Sequence, residues 1–108
     1  MYNSIFRLRD MLDKEHIPYE FLDRSYDVLN YHHTHYQIVV NKPKSTERLI
    51  SVVEGNYTYG GEGDLLEIMG CLTKEEYKQD SVVGWLSAEE VFKRIKKNYK
   101  KLLKEVDR

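Results

Sequence analysis

The C-terminal stretch constrains this chain most. From Ala88 onward, Val91, Phe92, Ile95, Tyr99, Leu102, Leu103 and Val106 recur at three- and four-residue spacing. That spacing lines one side of a helix with apolar side chains and predicts a helix from about Ala88 to Val106. A helix with a continuous apolar stripe draws its stability from the layer it buries that stripe against. The rest of the chain must therefore supply a sheet or further helices.

A layer of strands is legible upstream. Tyr36-Gln-Ile-Val-Val-Asn and Arg48-Leu-Ile-Ser-Val-Val-Glu are rich in β-branched residues, and Asn41-Lys-Pro-Lys-Ser between them is a turn. So short a connection makes the two strands an antiparallel hairpin. Tyr19-Glu-Phe-Leu-Asp-Arg alternates and predicts a strand with Tyr19 and Phe21 on one face. Tyr57-Thr-Tyr predicts a further short strand, while residues 25–34 carry no decisive pattern. Residues 3–16 predict a helix capped by Asn3 or Ser4, with Ile5, Leu8 and Leu12 on its apolar face, ended by Pro18.

Three capping-box spacings punctuate the second half: Asp64-Leu-Leu-Glu67, Thr73-Lys-Glu-Glu76 and Ser87-Ala-Glu-Glu90. Each predicts a helix start, and Gly70 suits the C-terminal end of the first. Ser81 to Leu86 reads as a buried connection around Trp85. The expected fold is α+β over residues 1–108 as a single domain. It has a small antiparallel sheet of three to four strands, with an N-terminal helix and two to three C-terminal helices packed on one face.

The 108 residues, 41% of them hydrophobic, suffice for one modest core. The net charge of −1 gives the whole molecule no strong steer toward nucleic acid or anionic lipid. No apolar run approaches the ~20 residues of a membrane span. Charges within Met1–Asp10 do not suit the apolar core of a signal peptide. Cys71 is the only cysteine, so no internal disulfide can form, which fits a reducing compartment. It lies in an apolar run and reads as a small buried hydrophobe rather than a nucleophile. The expected location is the cytoplasm.

Five features could carry chemistry or contact. Tyr31-His-His-Thr-His-Tyr36 holds three of the four histidines. On one strand His33 and His35 would share a face and could supply two imidazoles to a transition metal, although no third ligand is indicated. Their clustered imidazoles also suit a pH-sensitive contact. Nine tyrosines are many for this length. Tyr31, His33, His35, Tyr57 and Tyr59 are the candidate protein interface, because such side chains combine area with a polar tip. Tyr59-Gly-Gly-Glu-Gly-Asp opens a predicted helix yet lacks the phosphate-loop pattern, and Glu62 and Asp64 would repel a phosphate. Glu62, Asp64, Glu67, Glu75, Glu76 and Asp80 cluster in sequence, but as caps and solvated faces they need no catalytic role. Finally, residues 88–108 carry eight basic and four acidic side chains, a local excess of +4 against −5 for the remainder. Lys96, Lys97, Lys100 and Lys101 are the candidate nucleic-acid contacts. No residue is assigned to catalysis or to a cofactor.

The stretches Leu65-Leu-Glu-Ile-Met-Gly-Cys-Leu-Thr and Asp80-Ser-Val-Val-Gly-Trp-Leu-Ser-Ala-Glu-Glu-Val-Phe-Lys-Arg-Ile resemble small proteins encoded by phages and prophages of Gram-positive bacteria. The resemblance spans roughly residues 57–97. It implies an accessory phage protein made in the infected cell. With no activity attached to the family, it transfers no catalytic residue. The expected function is non-enzymatic: binding of a host or phage protein, or self-association. Nucleic-acid binding is the alternative.

Overall fold

The structure is a computed structural model and describes residues 2–106. The chain runs α1 (Ser4–Lys14), β1 (Glu20–Asp23), β2 (Tyr26–Val28), β3 (Tyr31–His33), β4 (His35–Asn41) and β5 (Arg48–Gly55). A 3₁₀ turn (Gly61–Gly63), β6 (Leu66–Met69), α2 (Lys74–Gln79), β7 (Val83–Leu86) and α3 (Ala88–Val106) follow. Five strands form an antiparallel sheet in the order β1-β4-β5-β6-β7, and β2 and β3 form a separate two-stranded sheet. The class is α+β as expected, with more strands and fewer long helices than the sequence suggested.

The core lies between the sheet and two helices. Ile38 and Val40 of β4, Ile50 and Val52 of β5, and Leu66 and Ile68 of β6 are fully buried with Ile5, Leu8 and Leu12 of α1 and Val91 and Ile95 of α3. Strand alternation puts these six sheet residues on one face. On the opposite face Arg24 Nε donates to Gln37 Oε1 (2.7 Å), and Gln37 Nε2 donates to Ser51 Oγ (2.8 Å). The helices α1 and α3 run side by side in the same direction. Arg7 pairs with Glu89 near their starts, and Lys96 and Lys100 both reach Glu15 at the end of α1.

Three expectations are overturned. Residues 64–69 are not a capped helix. Asp64 sits at φ 55, outside the extended backbone an N-cap requires, and Leu66 and Ile68 point inward while Glu67 and Met69 point outward in a strand. Gly70, at φ 106, turns the chain out of β6 rather than ending a helix. Trp85 is not buried: it lies in β7 at φ 60 and is 55% exposed. Residues 57–59 form a turn, not a strand. The cap of α1 also differs, because neither Asn3 nor Ser4 caps it with its own side chain.

The two remaining capping motifs form. Thr73 Oγ1 accepts the Glu76 amide (3.1 Å), and Glu76 Oε1 accepts the Thr73 amide (2.9 Å). Ser87 Oγ accepts the Glu90 amide (3.1 Å), but the Glu90 carboxylate turns to Arg94 instead of reaching back. Arg94 also clasps Glu76 with both terminal nitrogens (2.7 and 2.8 Å), tying α2 to α3. These bonds hold the Glu76 carboxyl down to about 2.

Candidate functional site

The β2–β3 hairpin stands clear of the main sheet. Its strands pair Tyr26 with His33, Asp27 with His32 and Val28 with Tyr31. Val28 and Tyr31 leave only Leu29 and Asn30 to make the turn. Two-residue hairpin loops favour positive φ, and Leu29 adopts φ 57. Leucine pays for that conformation with roughly 1–2 kcal/mol of backbone strain. Its side chain is also 97% exposed. An apolar residue that is both strained and solvated is costly to the isolated fold.

One face of the hairpin is a ring cluster. His33 stacks on Tyr26 (4.7 Å between centroids), meets the edge of Tyr31 (4.6 Å) and leans on Tyr57 (5.2 Å). All three tyrosines are half or more exposed. His33 Nδ1 is buried without a hydrogen-bond partner among the described residues. On the other face, His32 Nδ1 lies 2.7 Å from Asp27 Oδ1.

The structure thus brings together Tyr31, His33 and Tyr57 of the expected interface and adds Tyr26. It separates His35 and Tyr59 from them. Thr34 interrupts the strand, so His33 belongs to β3 and His35 begins β4 opposite Gly55. Ser25 Oγ accepts the His35 amide (3.0 Å). The Tyr59 carbonyl accepts the Trp85 amide (3.1 Å), which ties Tyr59 to β7 instead. The two histidines proposed as a metal pair therefore lie in different sheets. Among the described residues no three His, Cys, Asp or Glu side chains gather as a metal-ligand set.

A buried polar constellation underlies this end of the molecule. Glu54 continues the inward alternation of Ile50 and Val52 and is 0% exposed, an acid in a core position. Its Oε1 accepts the Ile5 amide (3.0 Å). Asp64 Oδ1 accepts the amides of Asn3 (2.8 Å) and Ser4 (2.9 Å), and Ser4 Oγ donates to the Asp64 carbonyl (2.5 Å). Two carboxyl groups far along the chain thus satisfy the free amides at the start of α1. Burial, reinforced by the neighbouring Asp64 carboxylate, pushes the Glu54 carboxyl up to about 8. Burial alone would raise Asp64 as well, but the neighbouring Glu54 carboxyl and the Ser4 and Asn3 amides hold it below its usual range. Near neutral pH Glu54 therefore keeps its proton while Asp64 is ionised, and the second Glu54 oxygen, Oε2, is buried with no hydrogen-bond partner among the described residues. Burial and then the charge of Glu54 raise the Tyr2 hydroxyl.

The sequence pointed to neither member of this pair as a partner of the other. The period-two series Ile50, Val52, Glu54 was the available signal that Glu54 faces the core. The other acids are dispersed: Glu67 accepts the Tyr59 amide (2.8 Å) and Asp80 the Ser81 amide (2.6 Å).

A second surface lies at the opposite end of β5. Met69, Cys71, Leu72 and Tyr77 wall a groove of about 760 Å³ between the end of β6 and α2, with Lys74 and Lys78 also lining it. Burial pushes the Cys71 thiol up to about 11, which keeps it protonated at neutral pH.

The basic helix is divided by its packing. Of the four lysines proposed for nucleic acid, Lys96 and Lys100 clamp Glu15 (3.2 and 3.1 Å). Lys97 and Lys101 instead join Lys93 and Lys104 in an exposed stripe at helical spacing. No helix among the described residues is long and apolar enough to cross a membrane.

Compared with protein-family models, curated proteins and solved structures, the chain matches none.

Proposed function

We propose that this chain is a non-enzymatic accessory protein, of the phage-encoded kind its sequence resembles, that acts by binding another protein through the β2–β3 hairpin. The observation that carries the reading is the apolar tip. Val28, Leu29, Tyr26 and Tyr31 are all about half exposed or more on one two-stranded sheet outside the core. Contiguous exposed apolar and aromatic side chains of this kind mark contact surfaces, and aromatic anchors dominate their energetics. The strain at Leu29 adds to the case, because strained residues concentrate where a contact uses them.

The test is a photo-reactive phenylalanine analogue placed at Tyr31, with Lys97 as the control position, in the cell that encodes the protein. The expected result is a discrete cross-linked adduct from position 31 and none from 97. Adducts equal at both positions, or absent at position 31, overturn the reading.

The stripe Lys93, Lys97, Lys101 and Lys104 favours a second reading, contact with a phosphate backbone. It predicts binding to single- or double-stranded nucleic acid that weakens steeply with salt and is lost on changing Lys97 and Lys101 to Glu. No binding at low salt would remove it.

A further inference from the structure

We propose that the chain associates head to tail, with the β2–β3 tip of one copy seated in the groove beside α2 of the next. The inference rests on the docking reading above and names the occupant. The tip is a projecting apolar knob, Val28-Leu29. The groove is the matching apolar hollow, walled by Met69, Leu72 and Tyr77, and its volume suits a few side chains.

Their charges also match. Lys74 and Lys78 line the groove, whereas Glu75 and Glu76 of the same helix do not. The hairpin presents Asp27 next to Val28, with its side chain 75% exposed. A seated tip would bring that carboxylate to the lysines while Leu29 enters between Met69 and Tyr77. Opposite charges at the edge of an apolar contact fix orientation and speed encounter more than they add affinity.

In one copy the knob and the hollow sit at different positions along β5 and do not meet. His35 pairs with Gly55 at the hairpin end of the sheet, and Ser51 pairs with Met69 at the groove end. Gly55 and Ser51 lie four residues apart on β5, roughly 13 Å along the strand at its usual rise. Knob and hollow are different surfaces, so their union is heterologous and leaves a free knob and a free hollow on every pair. Such contacts grow into rings or open filaments instead of stopping at a two-fold dimer.

The experiment is sedimentation velocity on the full chain and two variants. Leu29→Asn removes the knob and keeps a residue that tolerates positive φ. Tyr77→Glu removes a wall of the groove at an exposed helical position and opposes Asp27. Circular dichroism confirms that each is folded. The wild-type mass should climb with concentration past that of two chains as the protein approaches about 1 mM, the range of weak interfaces. Each variant alone should remain a monomer. Mixed in equal amounts, the two should form a species of two chains and no larger, since one retains the groove and the other the knob. A wild type that stays monomeric throughout, or loss of association with Leu29→Asn alone, overturns the proposal. So does a mixture that stays monomeric. If position 31 still cross-links to a different protein in any of those cases, the docking reading stands and only the self-partner fails.

Discussion

At one end of this molecule the usual distribution of polar and apolar groups is inverted. Beneath the start of α1, Glu54 is fully buried and Asp64 half-buried, engaged with the Asn3, Ser4 and Ile5 amides. Just beyond, on the hairpin, Tyr26, Val28, Leu29 and Tyr31 face water. The base and the projection thus do different jobs. The two acids join α1, the glycine-rich turn and β5, so they hold this end together. The hairpin contributes nothing to the core, and its apolar tip faces water; contact is the role proposed for it.

Substitutions should separate the two regions by their effect on stability. The largest loss belongs to Asp64→Ala. It leaves two helix amides without an acceptor and puts alanine, which tolerates φ 55 less well than aspartate, in its place. Denaturant unfolding should show a loss of about 2–3 kcal/mol. Asp64→Asn keeps an acceptor and tolerates the backbone, so it should lose less than half of that.

Glu54→Gln sharpens the comparison through pH. The folded chain holds a proton at Glu54 up to about pH 8, whereas its ordinary value is 4.5. The unfolded chain releases that proton first, so the contribution is full below pH 4.5 and is lost as pH rises toward 8. Asp64, shifted the other way, loses its contribution only in acid. Glutamine keeps the acceptor for Ile5 without the titration. Melts between pH 5 and 8 should therefore flatten, and at pH 8 the variant should exceed the wild type by on the order of 2 kcal/mol. A wild-type profile with no fall over that window would break the account of this end.

Thr73→Ala is the smaller, local counterpart. The amides at the start of α2 are served by Thr73 and Glu76, three residues apart. Losing one hydroxyl there should cost about 1 kcal/mol in the same unfolding measurement.

This contrast between a local cap and a remote one also explains what was legible in the sequence. The hairpin of Tyr36–Asn41 and Arg48–Glu54, the box at Thr73 and the whole of α3 were readable, because each signal completes itself within a few residues. Asp64 carries the same signature as Thr73, yet its partners are amides 60 and 61 positions away. The run Leu65–Met69 suits a strand as well as a helix, and the buried register of Leu66 and Ile68 decided for the strand. Residues 25–34 escaped because Leu29-Asn30 lacks the glycine that announces a tight hairpin. Of the proposed contact residues, Tyr31, His33 and Tyr57 were legible as a tyrosine-rich segment. Leu29, the most exposed of them all, was not.

The central claim is that the apolar tip serves contact and not the fold. Equilibrium unfolding of Leu29→Asn tests it most directly. With positive φ relieved and no buried contact removed, the variant should be as stable as the wild type or up to about 1 kcal/mol more stable. A loss of more than about 1 kcal/mol would show that Leu29 is part of the packed structure and would contradict the account.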